Sequence, residues 1–233
     1  MEIDDILADF EKDTRGARTE SSAGLRQQLV TAMLNERMAP DLLPYKHTLM
    51  ARILRGILDQ QQFLLDSYEY GDSNAEAGVI SLDFKLQLMI VETDIERLSY
   101  LVRLYIRTRL AKIDEFTIYY INKTAEELPG EPLLSEPEQS YMHGHFKILN
   151  QLYNNSFLKK FPSFLTLLDD TTGGENMITT PDLDRPVFIR VVCDDTIVLH
   201  LGNDELELVK DGIYVVRYRL IMKYLELGDV VLI

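Results

Sequence analysis

From residue 82 to residue 122 the chain contains neither glycine nor proline. A stretch of that length without a helix breaker predicts one long helix, and its apolar residues decide where that helix sits. Leu86, Met89, Ile90, Ile95, Leu98, Val102, Tyr105 and Ile113 fall on more than one side of the cylinder. A surface helix carries a single apolar stripe, whereas one that is apolar on several sides has to be covered on several sides. The fold is therefore built around a central helix packed by neighbours.

Those neighbours are readable in the same way. Leu25, Leu29, Ala32 and Met33 form a stripe that ends at "NERMAPDLLP", where Pro40 and Pro44 punctuate. Leu49, Ile53, Leu54, Ile57, Leu58 and Leu65 repeat at threes and fours. They predict a second helix over residues 46–68, broken by Gly71, Asp72 and Gly78. After the loop "LPGEPLLSEPEQ", Ser135 with Glu138 three residues on has capping-box spacing and opens a helix carrying Tyr141, Phe146, Ile148 and Leu152. A short apolar segment, "FLKKFPSFLTLL", closes the helical part near Asp169.

Then the period changes. "DDTTGGENMITTPDLDRP" is rich in Gly, Pro, Thr and Asp and reads as a linker. "VFIRVVC" and "TIVLHL" are β-rich, and "ELELV" alternates cleanly. Asp211-Gly212 is the type I′ hairpin signal ahead of "IYVVRY". "RLIMKYLELG" reads as a short helix capped by Gly228, and "VVLI" as a last strand. The expected fold class is mainly α with a small β-rich C-terminal domain. A helical-bundle A domain spans residues 25–169, a linker 170–186 and a β-rich B domain 187–233.

With 46% hydrophobic residues, the 233-residue chain can bury substantial cores. A net charge of −14 argues against autonomous nucleic-acid binding, because an acidic surface repels phosphates. It leaves open a place in a DNA-handling assembly whose other members supply basic surface. The single cysteine, Cys193, rules out an internal disulfide framework and fits a reducing compartment. No leader pattern and no run of eighteen apolar residues is found, so neither export nor a membrane is expected.

Few motifs in the chain carry chemistry. Phosphate-binding loops of the Gly-x-x-x-x-Gly-Lys and Gly-x-Gly-x-x-Gly kinds are missing, as are paired cysteines at zinc spacing. His143 and His145 sit two apart, which on a helix turns their rings about 200° from each other and disfavours a metal pair. Cys193 falls in a strand pattern, where a thiol is usually a small buried hydrophobe. The reading is of a chain without enzymatic activity, metal or cofactor. Arg97, Arg103, Arg107, Arg109 and Lys112 concentrate positive charge on the long helix of an acidic chain. They form a solvated face with local ion pairs, a contact for an acidic partner subunit through Arg103 and Arg107, or a phosphate-binding stripe.

The opening "MEIDDILADFEKDT" sets Ile3, Ile6, Leu7 and Phe10 at helical spacing amid acidic residues. A helix this short is marginal alone in water. The following "TRGARTESSAG", residues 14–24, reads as a flexible linker. The segment over residues 1–13 either packs back on its own domain or folds into the groove of another protein.

Four blocks of the sequence carry a resemblance. "MLNERMAPDLLPYK", "ERLSYLVRLYIRTRLAKIDEF", "PDLDRPVFIRV" and "RYRLIMKYLELGDVVLI" resemble, in order, the signature blocks of the Sld-five family of the eukaryotic GINS complex. The resemblance implies a helical A domain followed by a β-rich B domain in a heterotetramer with three other GINS subunits. It also implies a nuclear, non-catalytic role in the replicative helicase with Cdc-forty-five and the Mcm ring. "IDDILADF" is similar to the peptide by which fungal members bind a trimeric replisome hub of the Ctf-four type. Asp4, Asp5, Ile6 and Leu7 match that pattern, Ile3 precedes it, and Phe10 stands where leucine is usual. The competing reading is a free-standing helical adaptor that shares the domain order.

Overall fold

The computed structural model describes residues 18–75, 82–125, 132–161, 178–201 and 204–233. Among the described residues five helices come first: α1 (Arg18–Met38), α2 (His47–Ala75), α3 (Leu82–Glu115), α4 (Thr117–Ala125) and α5 (Glu136–Ser156), the last followed by a 3-10 turn at Leu158–Lys160. Strands β1 (Pro186–Val191), β2 (Ile197–Leu201), β3 (Asp204–Leu208) and β4 (Ile213–Arg217) follow, then α6 (Tyr218–Leu227) and β5 (Val230–Leu232). The chain is thus mostly helical with a small strand-containing C-terminal part, as its periodicity predicts. No described helix is long and apolar enough to cross a membrane.

Several boundaries differ from expectation, each for a local reason. Helix α1 starts at Arg18, so residues 18–24 are helical where composition suggested a linker. Extending a nucleated helix costs little per residue, and this run contains no proline to stop it. Residues 14–17 of that linker, and the opening segment over residues 1–13, lie outside the described residues, as does "PSFLTLL". Helix α2 continues through Gly71 to Ala75. One interior glycine costs about 1 kcal/mol relative to alanine, too little to end a helix.

The long helix is also interrupted, at Phe116, between α3 and α4. Thr117 Oγ1 donates back to the Ile113 carbonyl at 2.7 Å and the Asp114 carbonyl at 3.2 Å. A hydroxyl competing for helix carbonyls bends the ladder without any glycine or proline.

Two compact units result. One combines Lys46–Leu104 with the chain up to Met33. Its buried apolar residues include Leu29, Met50, Ile53, Ile57, Leu88 and Ile95. Tyr68 of α2 donates to Glu92 Oε2 of α3 at 3.4 Å within it.

The other unit combines Leu34–Tyr45 with Tyr105–Ile233. In its β part, β1 is the centre of a three-stranded antiparallel sheet ordered β4-β1-β5, while β2 and β3 form a separate antiparallel pair. Strand β1 alternates strictly, burying Val187, Ile189 and Val191 and exposing Phe188 and Arg190. Helix α6 buries Tyr218, Ile221 and Leu225 at i, i+3 and i+7. It ends as expected at Gly228, which adopts φ 86° while Asp229 N–H closes on the Tyr224 carbonyl at 3.0 Å.

The Asp211-Gly212 hairpin is corrected. Asp211 takes φ 58°, and Gly212 N–H closes a turn on the Val209 carbonyl at 3.0 Å. Yet β3 pairs with β2, and β4 with β1. Asp211 N–H donates to the Val191 carbonyl, and Val191 N–H to the Gly212 carbonyl, so the turn is held by the end of β1. Gly212 is needed for space: a Cβ there would meet the Tyr214 ring at 2.5 Å and the Val209 carbonyl at 2.8 Å.

Candidate functional site

Pro40 and Pro44 prevent α1 from continuing, since each lacks an N–H and biases its predecessor away from helical backbone. The chain between them leaves carbonyls and N–H groups that need partners inside the protein. Arg109 and Lys112, three apart on one face of α3, meet that need.

Arg109 is completely buried. Its Nε and Nη2 grip Glu138 of α5 in a two-pronged bond, at 2.7 Å to Oε1 and 3.1 Å to Oε2. Nη1 donates to Glu36 Oε2 at 3.0 Å and to the Leu43 carbonyl at 2.6 Å, and Nη2 also reaches the Leu133 carbonyl at 2.8 Å. The guanidinium lies 5.2 Å from the centre of the Tyr45 ring and 5.6 Å from that of Tyr105. Lys112 Nζ donates to Glu36 Oε1 at 2.7 Å, to the Glu36 carbonyl at 2.5 Å and to the Asp41 carbonyl at 2.8 Å.

The network continues into α4. Asp41 Oδ1 accepts from the Tyr120 hydroxyl at 3.0 Å and from Leu42 N–H at 2.8 Å, while Oδ2 pairs with Lys123 Nζ at 2.8 Å. Just before α5, at its N-cap, Ser135 N–H donates to Glu138 Oε2 at 2.9 Å, so the predicted capping residue also belongs to this centre.

Glu36, Glu138 and Asp41 thus face Arg109, Lys112 and Lys123, three carboxylates against three cations. Burial alone lowers the pKa of Arg109, but hydrogen bonds to Glu138 and the charge of Glu36 more than reverse this and keep it protonated. Burial also lowers Lys112, which Glu36 only partly offsets, so that amine sits below its ordinary value. Burial followed by the Asp41 charge raises the Tyr120 hydroxyl. No buried side-chain nitrogen or oxygen among the described residues lacks a hydrogen-bond partner.

Chemically, the arrangement holds rather than reacts. A guanidinium has five N–H groups and a lysine ammonium three. Every one at Arg109, and every one at Lys112, is directed at a protein acceptor.

The charged stripe read along α3 therefore divides. Arg109 and Lys112 are interior, a correction to their place on a solvated face. The signal was spacing: Val102, Tyr105, Arg109 and Ile113 stand at i, i+3, i+7 and i+11, and all four are buried. Arg103 and Arg107 are exposed on α3, and Arg97 pairs with Asp94 at 3.6 Å in solvent. His145 Nδ1 lies 2.9 Å from Thr117 Oγ1, while His143 is exposed. Among the described residues no group of His, Cys, Asp or Glu is placed to hold a metal ion. The positions from Ile3 to Phe10 lie outside the described residues.

Fold and site together define a class: a helical-bundle protein with a β-rich C-terminal part, whose most buried charges hold its segments in place. Residues 64–157 match the GINS complex protein helical bundle domain, and residues 181–233 the C-terminus of DNA replication complex GINS protein SLD5. The chain is 61% identical over 242 residues to the DNA replication complex GINS protein SLD5 of Debaryomyces hansenii, covering 100% of this chain and 98% of the relative. Its likeness to the protein of the same name in Saccharomyces cerevisiae is 33% over 294 residues, covering 100% of this chain and 99% of the relative. For Yarrowia lipolytica the identity is 36% over 233 residues, covering 100% and 85%. The chain belongs to the SLD5 family of DNA replication complex GINS proteins.

Proposed function

We propose that this chain is a non-catalytic structural subunit of the GINS heterotetramer, acting in the nucleus within the replicative helicase beside Cdc-forty-five and the Mcm ring. The supporting observation is an apolar surface on the helices that the described residues leave uncovered. On α3, Leu86, Met89, Ile90 and Tyr100 form a stripe opposite buried Leu88, Ile95 and Val102, and Met89 is 62% exposed. On α2, Leu54, Leu58 and Leu65 form another, with Leu58 at 64%. Contiguous apolar patches on a soluble chain mark interaction sites, and obligate interfaces are the most apolar of these. The three sibling subunits are the occupants, with exposed Arg103 and Arg107 meeting acidic groups of a sibling.

The opening segment serves a second attachment. Ile3, Ile6, Leu7 and Phe10 form the apolar face that seats on the Ctf-four-type hub, and Asp4 and Asp5 sit in the first turn where acids suit the helix dipole. The chain has no membrane role, and its −14 charge leaves nucleic-acid contact to its partners.

Co-expression with the three siblings tests the first part. A stoichiometric four-chain complex is expected, with the isolated chain folded but self-associating through its apolar stripes; a cooperatively folded monomer that ignores the siblings at micromolar concentration would favour the adaptor instead. Titration of a labelled peptide, residues 1–19, into the purified hub tests the second. Binding near micromolar, weakened at least tenfold by the pair Ile6→Ala/Leu7→Ala, is expected, since each buried aliphatic anchor contributes about 1–3 kcal/mol. Equal binding by the two peptides would sink the tether.

A further inference from the structure

Leu34–Tyr45 has two sides, and each is committed to a different part of the same compact unit. One side belongs to the β part. Asn35 Oδ1 accepts the backbone N–H of Leu232, in the C-terminal strand β5, at 2.9 Å. Ala39, 3% exposed, is a member of the core formed by Val187, Ile189, Tyr218, Ile221 and Leu232, and Leu43 packs against it. These three residues stand four apart along the chain.

The other side belongs to the helices. Glu36, next to Asn35, takes Arg109 and Lys112 on its two carboxylate oxygens. Asp41 takes Tyr120 and Lys123 of α4. Leu42 sits in the second core with Ile113, Tyr120, Leu134 and Met142. Leu43 serves both sides, its side chain packed against the β core and its carbonyl on Arg109.

From this placement we infer that Leu34–Tyr45 is a coupling strut, through which the Arg109 charge centre and the C-terminal sheet stand or fall together. The segment has little regular structure of its own past Met38, so its conformation is set by what grips it. Removing the grip on one side frees the backbone that the other side uses. Neither the C-terminal strand nor the α3–α5 centre is then an independent cooperative piece, although they lie far apart in sequence.

Hydrogen exchange on the full-length chain, co-purified with its GINS siblings, distinguishes coupling from mere contact. Asn35→Ala removes one acceptor of Leu232 N–H and touches nothing at Arg109. Coupling predicts faster exchange at β5 and, by a similar ratio of roughly fivefold, at the amides of α4, the ratio expected from losing one net hydrogen bond. Faster exchange confined to β5 and its sheet neighbours overturns the inference. Arg109→Lys tests the reverse direction: exchange should rise in β1 and β5 as well as in α3–α5. Unchanged β1 and β5 in that variant would equally overturn it. Should Arg109→Lys fail to yield protein, the Asn35→Ala comparison decides alone.

Discussion

A single arginine side chain joins four parts of the chain, because Arg109 touches Glu36, Leu43, Leu133 and Glu138. Lysine at that position keeps the charge but not the fork, so Glu138 and at least one carbonyl lose their donors inside the protein. Arg109→Lys should therefore cost about 3–5 kcal/mol, seen as a lower urea midpoint or as lost soluble yield. A cost under about 1 kcal/mol would mean that the centre is more hydrated than its burial indicates. Tyr120 makes a pH-dependent contribution. Burial and then Asp41 raise its hydroxyl above the ordinary 10.0, and burial does the same at Tyr218. The unfolded chain loses these protons near pH 10 and the native chain only at higher pH, so the stability they carry is complete below pH 10 and falls above it. Lys112, lowered by burial from 10.5, works the other way, since the unfolded chain then keeps its proton longer. Lys123 is raised by the Asp41 hydrogen bond and charge despite the lowering effect of burial, and it adds to the loss. With Tyr45 and Tyr141 raised as well, four tyrosines and one lysine stand against one lysine, so urea midpoints should drop between pH 9 and pH 11. Tyr120→Phe should cost about 1 kcal/mol at pH 8 and flatten that drop; an unchanged slope would place the titration elsewhere. None of this was legible from charge alone. An arginine in an acidic chain suggests an outward face, and only its register with Val102, Tyr105 and Ile113 pointed inward.

Among the elements, local chemistry predicted existence and caps better than continuity or pairing. Ser135 and Gly228 were readable as helix ends because capping is decided within a few residues. The break at Phe116 was not, since Thr117 is an ordinary helix residue until its hydroxyl turns back onto Ile113. Likewise Asp211-Gly212 is a true turn, but which strands pair across it depends on β1, far away in sequence. The glycines give a paired test. Gly228 sits at φ 86° with open space around a would-be Cβ, so Gly228→Ala should cost about 1 kcal/mol through backbone strain alone. Gly56, inside α2 with the same open space, carries no such demand, and Gly56→Ala should gain roughly 0.5–1 kcal/mol. Thermal midpoints of the two variants moving in the same direction would contradict the assigned backbone.

At the scale of the molecule, the feature first visible in the sequence is the one that matters most: a long helix with more apolar sides than the described residues cover. Leu88, Ile95 and Val102 are buried, while Leu86, Met89 and Ile90 are not. The stripe on α2 has the same character at Leu58 and Leu65. A sequence shows that such faces exist, but which of them stays open is settled only by packing. Arg103→Glu/Arg107→Glu should weaken assembly modestly and in a salt-dependent way, because exposed pairs contribute about 0–1 kcal/mol each; no change in assembly at low salt would remove both residues from the interface. The most direct measurement concerns the stripes themselves. Leu58→Glu with Ile90→Glu places charge on exposed positions that the isolated fold tolerates and an apolar interface does not. After co-expression with the three siblings, sedimentation velocity should show the four-chain species lost while the chain keeps its helical circular dichroism. A four-chain complex of full mass, at wild-type yield and carrying both substitutions, would contradict the assignment of these faces to the assembly.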